Sequence, residues 1–203
     1  MVGLEVINKT GLYAPVMHGQ MVCRHVKALR ERIPGCSGAD VIIVPESNTA
    51  FESQNYCLGI IESQIPHVFL MDEDTKHVGV RTDNAAKKRM ATMFAHALRA
   101  SVVKFHPLLV THAIKSQPAD TPYTPREMME MLVKQAGNFK RKRIKKRKRA
   151  EDDREEFTEI YSGKQGGLMD DLIMAAMICY IGNVIYRQKY EEVYRHKEPL
   201  WKP

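Results

Sequence analysis

Apolar positions along this chain change their spacing several times, and each change marks an element. Residues 2–7 (VGLEVI) predict a strand, closed by Gly11 and Pro15. From about residue 20 to 33, Val22, Val26, Leu29 and Ile33 recur at helical spacing, and Pro34-Gly35 ends the helix. Residues 39–45 (ADVIIVP) form a short β-branched run, the composition of a strand buried on both faces. Leu58 and Ile61 face inward on a helix predicted over residues 49–64, and residues 68–71 (VFLM) predict a strand, followed by an acidic turn at 72–74.

Thr82, Asp83 and Asn84 cap the next helix, whose apolar stripe is Met90, Met93, Phe94, Ala97 and Leu98. A short strand is expected over residues 102–105. Thr124-Pro125-Arg126-Glu127 has the form of a capping box with proline at the first helical position. The helix that it opens carries Met128, Leu132 and Val133 on one face. Residues 157–162 (FTEIYS) predict a last strand, and a final helix begins at Asp170 or Asp171 with a charged, exposed tail from Gln188. Strands alternating with helices imply an α/β class, a central sheet covered by helices.

Length and composition agree with one compact domain of the globular class. The chain has 203 residues, of which 44% are hydrophobic and 27% charged. No run approaches the ~18 uninterrupted apolar residues of a membrane span, and the N-terminus lacks the basic flank and apolar block of a secretory signal. Cys23, Cys36, Cys57 and Cys179 show no C-x-x-C spacing and read as buried or partly buried free thiols in a reducing compartment. The net charge of +7 has a single source: residues 140–149 (KRKRIKKRKR) hold nine basic residues in ten. Without those nine, the rest of the chain carries 22 Lys and Arg against 24 Asp and Glu, a net of −2. The body of the protein is therefore not a basic coat for DNA.

Two acidic sites stand out as candidate chemistry. Glu46 follows the apolar strand at 39–45, and ligand sites of open α/β sheets gather at the carboxyl ends of strands. Asp170-Asp171 follow a Gly-rich loop and open a helix, which puts two carboxylates beside backbone that an anionic ligand can approach. Carboxylates on rigid element ends suit Mg²⁺ or Mn²⁺. Taken singly, Glu46 also reads as a solvated turn residue, and either aspartate as a simple helix cap.

Three stretches together resemble the C-terminal nuclease domain of a herpesvirus-type terminase large subunit. GLEV at residues 3–6 is similar to the strand before the first long helix of that family. VIIVPESN at 41–48 is similar to the strand that ends in its catalytic glutamate. SGKQGGLMDDLIMA at 162–175 is similar to the Gly-rich loop and Asp-Asp helix start that supply its last catalytic acid. GVRTDNAAK at 79–87 resembles the segment before the middle helix. The match covers most of the chain in the same order, and the terminal motif is the most specific part.

The resemblance implies an RNase H-like mixed sheet flanked by helices, with the nuclease-like domain over residues 1–190 and a charged tail over 191–203. It implies a DNA endonuclease using two Mg²⁺ or Mn²⁺ ions, ~4 Å apart. Glu46 would be a shared ligand and Asp170 or Asp171 would hold the second ion, both choices remaining open; Lys164 would touch the phosphate backbone. The expected partners are double-stranded DNA, an upstream terminase ATPase segment, other terminase subunits and the capsid portal, with no membrane, in the host cell nucleus. The family also has an aspartate on a strand upstream of its GLEV-like segment, and this sequence begins at Met1-Val2-Gly3-Leu4-Glu5. The expectation is thus an N-terminally truncated domain, the distal piece of a split or spliced terminase, needing a third acid from elsewhere. No Gly-Lys-Ser/Thr phosphate loop is present; Gly163-Lys164-Gln165 does not satisfy that pattern.

The basic run admits three readings. Lys140, Arg141, Lys142, Arg143, Lys145, Lys146, Arg147, Lys148 and Arg149 track DNA phosphates from a disordered loop at about 140–156, or form a nuclear-import signal, or are a solvated block balanced by EDDREE at 151–156. No aromatic residue interrupts the run, which argues against base stacking. No H-E-x-x-H motif or Cys/His cluster suggests zinc, and no G-x-S-x-G elbow suggests a serine hydrolase. The alternative to an endonuclease is a catalytically incomplete fragment that binds DNA or partner subunits within the packaging machinery. A weaker alternative is another RNase H-like enzyme, such as a resolvase.

Overall fold

The computed structural model describes residues 14–33, 35–39, 41–47, 51–65, 68–69, 78–105, 123–145, 157–164 and 170–195. The elements in order are α1 (Ala14–Arg32), β1 (Ile42–Ile43), α2 (Phe51–Gln64), β2 (Val68–Phe69), α3 (Asn84–Arg99), α4 (Pro125–Asn138), β3 (Lys140–Lys145), β4 (Phe157–Ser162) and α5 (Asp171–Arg195). The chain is mixed α/β, with five helices and four short strands among the described residues. The strand expected at 2–7 and the acidic turn at 72–74 lie outside them. Among the described residues no helix is long and apolar enough to cross a membrane. Two compact units divide the chain, one within Asp83–Ala175, the other formed by Thr10–Thr82 with Ala176–Pro203.

In the Thr10–Thr82 unit, β1 and β2 pair in parallel, Ile42 with Val68 and Ile43 with Phe69. Parallel strands need a crossover connection, and α2 is that connection. The core gathers Cys23 from α1 with Leu58, Ile61 and Ile65 from α2 and its end, backed by Val22, Val26, Val41 and Ile43. Helix α1 starts at Ala14, six residues earlier than its apolar spacing suggests. Pro15 falls in its first turn, where a missing N–H breaks no helical bond. Gly19 lies where α2 comes closest: a Cβ there would sit 2.8 Å from both the Cys57 carbonyl oxygen and Ile60 Cβ. The later part of α5 approaches β1 in the same way, since a Cβ on Gly182 would fall 2.5 Å from Val44 Cγ2.

In the Asp83–Ala175 unit, Asp83 caps α3 by accepting the Ala86 N–H at 2.8 Å. Met90, Phe94 and Ala97 form the buried stripe of that helix. The capping box of α4 is complete: the Glu127 N–H donates to Thr124 Oγ1 at 3.2 Å, and the Thr124 N–H donates to Glu127 Oε2 at 2.7 Å. These bonds to the charged form hold the Glu127 carboxyl below its usual range.

Three expectations change here. Residues 102–105 form no strand; Val102 is 69% exposed. Ser101, in the left-handed region at φ 55°, closes α3, with the Ser101 N–H on Leu98 O at 3.1 Å and the Val102 N–H on Ala97 O at 2.9 Å. This pair of bonds is a Schellman cap, so the valine amide serves the helix end. On α4, Val133 is 61% exposed, and the buried face runs Met128, Leu132, Gln135, which keeps helical spacing where Val133 does not. Lastly, residues 140–145 are not loop. They form β3, antiparallel to β4 from Lys140↔Ser162 to Lys145↔Phe157. Opposite charges across the ladder offset the like charges along it, with Arg141 and Arg143 both facing Glu159. Residues 146–156 lie outside the described residues.

The other edge of β4 is met by Asn84, the first residue of α3. Its side-chain amide donates to the Glu159 carbonyl and accepts the Tyr161 N–H, the latter at 2.9 Å, as a neighbouring strand would.

Candidate functional site

Asp170 and Asp171 separate sharply. Asp171 is the exposed first residue of α5. Asp170 precedes it, is 3% exposed, and its carbonyl accepts the Met174 N–H at 2.9 Å, which makes it the helix cap by position. Its side chain points elsewhere. Oδ2 accepts the Gly163 N–H at 3.1 Å. The Ile173 N–H, third in the helix and the amide that a capping aspartate would claim, donates to Gln135 Oε1 of α4 at 3.1 Å. Gln135 is 2% exposed. A neutral acceptor from another helix therefore satisfies the Ile173 amide, and the buried carboxylate bonds Gly163 instead.

Gly163 makes that approach possible. A Cβ there would lie 3.0 Å from Asp170 Cβ, 3.3 Å from Phe139 Cδ2 and 3.4 Å from the Gln135 carbonyl oxygen. The glycine closes a small corner formed by the end of α4, the end of β4 and the start of α5.

Glu46 sits in the other unit, past the C-terminal end of β1. An isolated parallel bridge pairs it with Val80, with the Val80 N–H on Pro45 O at 2.9 Å and the Ser47 N–H on Val80 O at 3.0 Å. Gly79, at φ +103°, lets the neighbouring chain pass directly over the Pro45 carbonyl, a path that no side chain permits. The Glu46 side chain is partly buried, and its Oε1 accepts the hydroxyl of Thr82, itself 3% exposed. The Thr82 hydroxyl is thus one neutral donor that fixes the carboxylate.

Of the basic run, Lys140, Arg141, Lys142, Arg143 and Lys145 stand on β3, whereas Lys146, Arg147, Lys148 and Arg149 lie outside the described residues. Strand alternation sorts them. Arg141 and Arg143 share one face and flank Glu159 Oε1 at 3.5 Å each, on an exposed surface where such pairs contribute little. Lys142 falls on the opposite face, and its Nζ donates to the Lys164 carbonyl at 2.7 Å. The exposed Lys164 is anchored by its N–H on Ser162 Oγ at 3.1 Å. The basic strand is thereby tied to the loop that holds Asp170.

Carboxylate oxygens such as those of Glu46 and of Asp170 are of the type that hard divalent cations take. The donor number completes no centre: among the described residues, no three His, Cys, Asp or Glu side chains gather into a group that could hold a metal ion. Reading the sequence missed Gln135 and Thr82. Gln135 left a trace, as a polar residue on the apolar spacing of α4; Thr82 left only its place before a capping aspartate. The four thiols are free, with Cys23 buried, Cys36 and Cys57 half-buried, and Cys179 exposed, against the buried or partly buried position expected for it. Comparison with protein families, curated proteins and solved structures finds no significant match to this chain.

Proposed function

We propose that this chain is the metal-dependent DNA endonuclease part of a viral DNA-packaging terminase of the herpesvirus type. The observation that carries the reading is the Asp170 carboxylate, 3% exposed, at a helix start whose amide is capped by another residue. Of the two amides that a capping carboxylate takes, Ile173 is held by Gln135, and the bond that the Asp170 carboxylate makes is to Gly163. Its setting in the Gly-rich Asp-Asp segment is the part of the sequence most similar to that family. On this reading the fold is RNase H-like, Glu46 and Asp170 are two of the acids, and a third comes from a preceding segment.

Two Mg²⁺ or Mn²⁺ ions would supply activation of water and stabilisation of the leaving oxygen. The residues of this chain do the positioning. Thr82 orients the Glu46 carboxylate, Gly163 orients that of Asp170, and Lys164 with the β3 cations holds the phosphate backbone of double-stranded DNA. The substrate would be concatemeric genomes cut in the host nucleus during packaging, alongside the upstream ATPase segment, other terminase subunits and the portal. Supplying the upstream segment and measuring Mn²⁺-dependent plasmid cleavage tests this. Cleavage should fall at least ~10³-fold in Glu46→Ala and in Asp170→Ala, a loss on the scale of removing a principal transition-state contact. Undiminished cleavage in the double variant would sink the proposal.

A second reading, a non-catalytic DNA- or partner-binding fragment, is favoured by the exposed basic face of β3 and by the incomplete donor set among the described residues. Calorimetry with Mn²⁺ on this chain decides against it if two ions bind tightly.

A further inference from the structure

We propose that Gln135 is a positioning residue that takes over the capping of α5 and so keeps the Asp170 carboxylate out of its own helix. The inference rests on the reading of Asp170 as a metal-binding acid, and it names the residue that makes this acid available.

Two side chains compete for a single amide. An aspartate just before a helix normally bonds the second or third helical N–H, here Leu172 or Ile173. Asp170 holds that position, because its carbonyl already accepts the Met174 N–H at 2.9 Å. Yet the Ile173 amide is taken at 3.1 Å by Gln135 Oε1. A buried amide must find an acceptor. If Gln135 did not serve it, the nearest carboxylate would, and Asp170 would leave Gly163. A neutral acceptor suits this place better than a charged one, since a second carboxylate 2% exposed beside Asp170 would repel it.

The backbone of α4 supports the same corner. The Gln135 carbonyl oxygen and Phe139 stand at 3.4 Å and 3.3 Å from where a Gly163 side chain would be, so the helix that supplies the cap also fixes the loop on which Asp170 rests. Gln135 thus touches both sides of the exchange: its side chain occupies the competing amide, and its backbone lines the space beside Gly163.

Hydrogen-bond scalar couplings measured by NMR on the full chain test this without reference to activity. In the wild type, the Ile173 nitrogen should couple to the Gln135 side-chain carbonyl carbon, and the Gly163 nitrogen to the Asp170 carboxyl carbon. In Gln135→Met, which keeps the length and loses the acceptor, the Asp170 coupling should move from Gly163 to Ile173. Mn²⁺-induced broadening around Asp170 should need about tenfold more metal in Gln135→Met, the usual scale for losing an outer-shell partner. An Ile173 coupling to Asp170 in the wild type overturns the proposal even if the methionine variant does not fold. So does an Asp170 carboxylate that stays on Gly163 in a folded Gln135→Met. If the couplings exchange as expected but millimolar Mn²⁺ broadens nothing in the wild type, the capping exchange holds and the metal reading of Asp170 fails.

Discussion

The hydroxyl of Thr82, 3% exposed, donates to Oε1 of Glu46 across the parallel bridge that joins Glu46 to Val80. A donor to a charged acceptor stabilises more than a neutral pair does. Thr82→Val keeps the shape and removes the donor. It should lower stability by about 1.5–3 kcal/mol in urea denaturation, the range for hydrogen bonds to charged groups. Thr82→Ser should recover most of that loss. In the cleavage assay with the upstream segment, Thr82→Val should depress turnover about tenfold or more, as losing an outer-shell partner does.

Two helical glycines of the same unit should respond with opposite signs. At Gly19 an added methyl meets the α2 backbone at 2.8 Å, whereas at Gly59 nothing lies within 4 Å. Gly59→Ala should stabilise by about 0.5–1 kcal/mol through helix propensity alone. Gly19→Ala should destabilise by about 1–2 kcal/mol, because overpacking of a rigid contact outweighs the same propensity gain. Denaturation midpoints of the two variants decide the matter.

Ser101 closes α3 at φ 55°, a conformation that glycine adopts without strain. Ser101→Gly should therefore raise stability by about 0.5 kcal/mol, the left-handed strain relieved slightly exceeding the entropy cost of glycine. Thermal melting of the variant beside wild type is the check, and a lower melting temperature would contradict the Schellman geometry.

His18, half-buried on α1, is held below its ordinary value by burial. The fold favours the neutral ring. Its contribution is intact above the unfolded value of about 6.5 and is lost as pH falls through that value towards the lower folded one. Urea midpoints should drop between pH 7.5 and pH 5, and less so in His18→Gln. An equal drop in both proteins would show that other groups account for it.

Glu159 stands between Arg141 and Arg143 on the exposed face of β3–β4. Glu159→Gln releases both guanidinium groups for phosphates. Binding of a short duplex, followed by fluorescence anisotropy from 50 to 200 mM salt, should tighten, and the slope of log K against log salt should steepen by about one. An unchanged slope would mean that this face does not contact DNA.

Local rules carried much of the fold. Asp83 and the Thr124/Glu127 box cap α3 and α4 as their sequence implies, because in these two helices the bonded groups are three residues apart. The strand at 157–162 was legible from its composition, and the start of α5 from the aspartates that open it. Residues 102–105 and Val133 were not. Whether an apolar residue joins a strand or a core face depends on partners far along the chain, and at Val102 the amide was already taken by Ala97. The basic run misled in the same way: composition marks it as solvated charge, but its ladder with β4 and the shared Glu159 make its first part a strand.

By itself, the sequence determined the α/β class, the capping of α3 and α4, the source of the net charge, and Glu46 with Asp170-Asp171 as the acids of interest. Only the tertiary structure distinguished the two aspartates, burying Asp170 and leaving Asp171 in solvent. The reason is a bond between residues 38 apart: Gln135 occupies the Ile173 amide, so that amide is satisfied without the Asp170 side chain. A sequence shows which side chains can cap a helix. Which one does so is settled by what packs against its end.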